Sequence, residues 1–205
     1  MEKDYRKDIT EIRNMMERSS RFISLSGLSG ILAGVYALIA AFLAFQIAYT
    51  SETIAQQEIL VRNVRGKMFE LSLLAISTLV LAILTGLVLT KQKAKKQGLT
   101  SWDNTAKKVI VNLMIPLFTG GVLVIIFYQA GLIKLIAPIT LVFYGLGLIN
   151  ASHYTYRDIK LLGFSEVILG LIACVFAGYG LLFWSIGFGL LHIVYGLLMY
   201  VKYDK

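Results

Sequence analysis

The chain has 205 residues, of which 57% are hydrophobic and 16% charged, with a mean hydropathy of +0.72. That balance excludes a water-soluble globule, in which charged residues make up roughly a quarter. A formal charge of +8 and a single cysteine, Cys174, exclude an intrachain disulfide and leave the basic residues to be read by their distribution along the chain.

Residues 1–21 form a polar tail, expected to be cytoplasmic. Asp8 and Glu11 have the spacing of a capping box, with Asp in place of Ser or Thr. Ile9, Ile12, Met16 and Ile23 recur at helical spacing while Arg13, Glu17 and Arg21 lie elsewhere, which predicts an amphipathic helix on the membrane surface.

From residue 22 onward the apolar residues come in blocks long enough to cross a bilayer, a length of about 18 residues or more. The blocks predict an all-α polytopic membrane domain over residues 22–201, with helices near 22–48, 69–90, 109–129, 132–152, 161–178 and 181–201. Leu161 to Val201 is too long for one crossing at about 1.5 Å per residue, so it must fold back around Gly178, Tyr179 and Gly180. Continuous apolarity favours helices over barrel strands, which alternate and are about half as long. The first run is also far longer than the apolar core of a cleavable signal, about 7–15 residues, and reads as a retained signal-anchor.

Lys and Arg divide sixteen to four between alternate connections, which predicts that the N-terminus and the C-terminal end, residues 202–205, both lie in the cytoplasm. Tyr128, Tyr179, Phe183 and Trp184 then mark the outer interface, and Tyr154, Tyr156, Tyr200 and Tyr203 the inner one.

Ser26, Gly30 and Gly34 form a small-residue stripe suited to close helix packing, against the same chain or against a second copy or other membrane partner. Lys91, Lys93, Lys95, Lys96, Lys107 and Lys108 make the densest basic patch and are expected to meet anionic lipid headgroups. Nucleic acid is not expected there, since the connection is short and Trp102 is its one aromatic residue. Asn112, Pro116, Thr119, Gly120 and Gly121 interrupt the third helix, where Pro116 frees a backbone carbonyl for a cavity or simply kinks the helix. Asn150, His153, Tyr154, Tyr156, Arg157 and Asp158 cluster at the inner end of the fourth helix as an interface anchor.

Glu166 is the one acid well inside an apolar run, and His192 lies at mid-depth in the adjacent antiparallel helix. A charge at depth needs a partner or nearby water, so the pair is either a proton-relay site or two separately satisfied polar groups. His153 and His192 lie at different depths, which disfavours a bis-histidine haem. With no phosphate loop, nucleophile elbow or HExxH motif, the expectation is a non-enzyme without metal or cofactor.

Helices three and four match helices five and six at an offset of 51 residues, pairing Tyr128 with Tyr179, Tyr144 with Tyr195 and Gly145 with Gly196. A more diverged first hairpin would make three parallel-repeat hairpins about a pseudo-threefold axis. The glycine-rich stretches PITLVFYGLGLIN from Pro138 and SIGFGLLHIVYGLL from Ser185 resemble hairpin helices of the HdeD-like family of small six-helix bacterial membrane proteins, over roughly residues 115–201. The resemblance implies a bacterial inner-membrane location and a link to acid resistance, from which the long first connection and charged tail depart. A non-enzymatic inner-membrane protein, in an envelope-stress or membrane-subunit role, is the first expectation. A small transporter or channel built on Glu166, His192 and the Pro116 region is the second.

Overall fold

The computed structural model describes residues 25–49, 67–98 and 102–204, together with Ile9. Apart from Ile9, the predicted tail helix falls outside these residues. The described chain is all-α, with six long helices: α1 (Gly27–Tyr49), α2 (Met68–Lys96), α3 (Asn104–Gln129), α4 (Ile136–Ala151), α5 (Arg157–Val175) and α6 (Ala177–Asp204). Each overlaps a predicted span.

The ends differ from the hydropathy reading for local reasons. α2 continues past the apolar run to Lys96, since Lys93, Lys95 and Lys96 in its last turn complement the negative end of the helix dipole. α3 starts at Asn104 because the Asp103 carboxylate accepts a hydrogen bond from the Ala106 amide at 2.6 Å, capping the helix. It ends at Gln129, and Gly131 just beyond it, with a φ of +74°, allows the Leu132 and Gly131 amides to reach back to Phe127 and Tyr128.

Five of the six helices are long and apolar enough to cross a membrane. α5 is the exception, and Arg157, Asp158, Lys160 and Glu166 are the reason. It nevertheless packs along both α4 and α6.

The helices pack as an open arc rather than a closed ring. α2 lies on α1, α1 on α6, α6 on α4 and α5, and α3 on α4, while α2 and α3 at the two ends of the arc are not packed together. Glycines set the closest seams. A Cβ on Gly145 of α4 would sit 2.6 Å from the Gly163 carbonyl of α5, and one on Gly163 would sit 2.8 Å from the Gly145 carbonyl. A Cβ on Gly34 of α1 would lie 2.6 Å from the Gly189 carbonyl of α6. Bulkier residues at these points would separate helices whose backbones are nearly in contact.

Candidate functional site

A buried polar cluster forms where α4, α5 and α6 meet. Glu166 is fully enclosed and His192 is 7% exposed, with His192 Nδ1 3.4 Å from Glu166 Oε1. The local backbone makes this approach possible. α6 widens into π-helical turns over Ser185–Leu191, directly before His192. Gly187 in that segment leaves room for the carboxylate, because a Cβ there would lie 2.5 Å from Glu166 Oε2.

His192 Nδ1 is 2.9 Å from the Gly187 carbonyl oxygen, and Tyr144 Oη of α4 is 2.8 Å from Nε2. A carbonyl can only accept, so Nδ1 carries a proton; in the neutral imidazole Nε2 then accepts from the Tyr144 hydroxyl. Among the described residues Glu166 has no hydrogen-bond donor of good geometry, which leaves the imidazole as its nearest compensating group. Burying an uncompensated charge is costly, so the favoured states are those in which carboxyl and imidazole together are neutral. The cluster therefore joins α4, α5 and α6 through three polar side chains.

Aromatic rings seal the cluster. Phe188 lies 4.9 Å from the Tyr144 ring and 5.8 Å from His192, and Trp184 stands 5.0 Å beyond Phe188. Leu141, fully buried, closes the Gly187 side. Sequence reading paired Glu166 with His192 by depth but gave Tyr144 no role here. A mid-span tyrosine whose hydroxyl needs a partner was the available signal.

The other expected polar residues lie elsewhere. α3 runs unbroken through Pro116, which cannot donate to the Asn112 carbonyl four residues earlier. That carbonyl accepts instead from Asn150 Nδ2 of α4 at 2.9 Å, so the liberated group joins two helices. Asn112 Nδ2 and the Thr119 hydroxyl turn back to the Lys108 and Ile115 carbonyls of their own helix. None of these three residues joins Glu166 and His192.

The small-residue stripe of α1 faces α6 of the same chain: Gly30 approaches Gly196, and Gly34 approaches Gly189. Ser26 has a different task. Its hydroxyl and the Gly27 amide both donate to Asp204 Oδ2, at 3.1 and 2.9 Å, so the end of α6 caps the start of α1.

Lys91, Lys95, Lys96, Lys107 and Lys108 are exposed, whereas Lys93 departs from its expected place among the headgroup contacts. It is buried, with Nζ 2.6 Å from Asp204 Oδ1 and 2.8 Å from the Leu25 carbonyl. Its ammonium also lies 5.4 Å from the ring of Tyr156, which stacks on Tyr203 at 4.0 Å. Burial, with the Asp204 charge adding to it, pushes the Tyr156 hydroxyl up to about 12. Asp158 accepts from the Tyr203 hydroxyl at 2.6 Å and from Lys202 at 3.1 Å. Partial burial raises the Asp158 pKa, but these hydrogen bonds and the Lys202 charge outweigh it and hold the carboxyl below its ordinary value.

Fold and site together define an all-α helical bundle with five helices long and apolar enough to cross a membrane, and with Tyr144, Glu166 and His192 meeting where three helices join. No known protein family, curated protein or solved structure matches the chain.

Proposed function

We propose that this chain is a non-enzymatic, multi-pass protein of the bacterial inner membrane, with both ends in the cytoplasm. In this reading the bundle serves in envelope stress or as the membrane subunit of a larger assembly. The glycine-rich helices that resemble the HdeD-like family support the same assignment.

The observation that carries it is the enclosure of Glu166. A transport carboxylate must meet water or substrate at some stage, yet Glu166 is fully buried between Gly187, Leu141 and His192, and the cleft between α2 and α3 is lined by other residues. Its geometry suits an interhelical tie. Proton flux into proteoliposomes carrying an internal pH dye tests the reading: the parent chain and Glu166→Gln should both match empty vesicles. Flux in the parent that Glu166→Gln abolishes would replace this reading with a proton-coupled transporter or channel. A reporter fused after Lys205 should be active only if cytoplasmic, and activity on the far side of the membrane overturns the sidedness.

A further inference from the structure

The open arc leaves a cleft of about 790 Å³ between the α1–α2 wall and the wall formed by α3, α4 and the start of α6. That volume falls within the range of small-molecule sites, about 300–1,000 Å³. Its lining is mostly apolar, with Ser72, Tyr128, Lys134, Thr140 and Trp184 as its polar members, and the α1 wall is built from Ala40, Ala44 and Ala48, which recur every fourth residue and give the cleft its width. From Ala40 to Ala48 the wall extends about 12 Å at 1.5 Å per residue. One leaflet contributes half of a hydrocarbon core of about 30 Å, so the cleft spans most of a single leaflet.

The helices flanking the opening are the least covered of the five apolar ones. None of the apolar window of α2 and only 6% of that of α3 is buried, so the mouth of the cleft faces lipid. Charge is confined to one end. Lys134, on the turn between α3 and α4, lines the cleft and is exposed, and among the described residues no acid pairs with it. Lys67 stands at the same end, next to lining residue Met68, with its Nζ donating to the Ile47 carbonyl at 2.7 Å. Trp184 lines the deeper part and leads through Phe188 to the Glu166–His192 cluster.

We propose that this cleft is a binding site for one anionic phospholipid, with an acyl chain against the Ala40–Ala44–Ala48 wall and the phosphate at Lys134. Three features converge on that occupant: a depth close to one leaflet, a mouth open to the bilayer, and an unpaired cation at the headgroup level alone. A soluble ligand would need more polar groups than the scattered Ser72, Tyr128, Thr140 and Trp184 supply, and a bare hydrocarbon would have no use for Lys134.

The full chain, purified in mild detergent and incubated with mixed micelles of equal phosphatidylglycerol and phosphatidylcholine, can be examined by native mass spectrometry. The parent should retain one phosphatidylglycerol in preference to phosphatidylcholine. Lys134→Ala should lower that preference about fivefold, the scale of one Lys near an anionic surface. Ala44→Phe on one wall, or independently Ala75→Phe on the other, should expel both lipids while leaving the helical circular dichroism signal and the monodisperse elution of the parent. Equal retention of the two lipids by the parent, an unchanged preference in Lys134→Ala, or lipid retained in both filled and folded variants would each overturn the proposal. A second copy of the chain held in place of lipid, lost on filling the cleft, would overturn it as well.

Discussion

The sharpest test of the buried cluster is a double-mutant cycle on Glu166 and His192. His192→Leu keeps a side chain of similar bulk but removes the imidazole 3.4 Å from Glu166 Oε1, and it strands the Gly187 carbonyl and the Tyr144 hydroxyl, 2.9 and 2.8 Å from the ring. Breaking a buried charge pair costs about 3–5 kcal/mol when the orphan stays ionised. Interhelical hydrogen bonds in membranes are worth less, about 0.6–2 kcal/mol, and the carboxyl can take up a proton. A loss of about 2–4 kcal/mol is therefore expected. Glu166→Leu in the same chain removes the orphaned carboxyl, so the double variant should regain at least about 1 kcal/mol of that loss. Unfolding by sodium dodecyl sulfate from mild micelles, followed by circular dichroism, measures all four corners of the cycle. If the two single effects add to within about 0.5 kcal/mol, the residues do not interact and the interhelical tie is refuted.

The glycine seam gives a position-specific expectation: Gly145→Ala, whose Cβ would meet the Gly163 carbonyl at 2.6 Å, should cost about 1–3 kcal/mol in the same unfolding assay. Gly121→Ala, with open space around its Cβ, should be neutral or slightly stabilising, and equal losses at both sites would dismiss the seam. Lys93→Met should destabilise markedly by leaving Asp204 buried without its cation, and adding Asp204→Leu should restore part of the loss; equal stability of Lys93→Met and the parent would remove the ion pair from the account. Asp158 has a folded pKa below its unfolded one, so its contribution is present above the unfolded value and disappears as pH falls through the folded value. The difference between parent and Asp158→Asn should accordingly shrink in acid and, because the partner Lys202 is exposed, shrink also in high salt; a difference independent of pH would point to another cause.

The contrast between Pro116 and Glu166 shows what a linear reading can reach. Both stood out as exceptions within apolar runs, and both proved to bear on helix contacts. Pro116 could be seen to free a carbonyl, but the taker, Asn150, lies 38 residues from Asn112 on another helix, and nothing in the local pattern selects it. Glu166 and His192 were matched in depth by counting residues along antiparallel helices, whereas the contact itself depends on the π-helical turns at Ser185–Leu191, which no periodicity announces. Lys93 belongs to a lysine-rich run, and only the return of Asp204 to the start of α1 distinguishes it from its exposed neighbours.

The sequence by itself determined the class of structure: uncharged blocks of bilayer length dictate helices, because backbone groups in hydrocarbon must be satisfied within their own segment. It also determined the approximate ends of six helices and the positions where polar groups would need partners. The tertiary structure decided which helix meets which, the enclosure of Glu166, and the gap between α2 and α3 that leaves a cleft open. The physical reason is that lipid is as apolar as the helix surfaces, so hydropathy drives each segment into the bilayer without choosing its neighbours. That choice falls to close glycine contacts and a few interhelical hydrogen bonds, which depend on register in three dimensions.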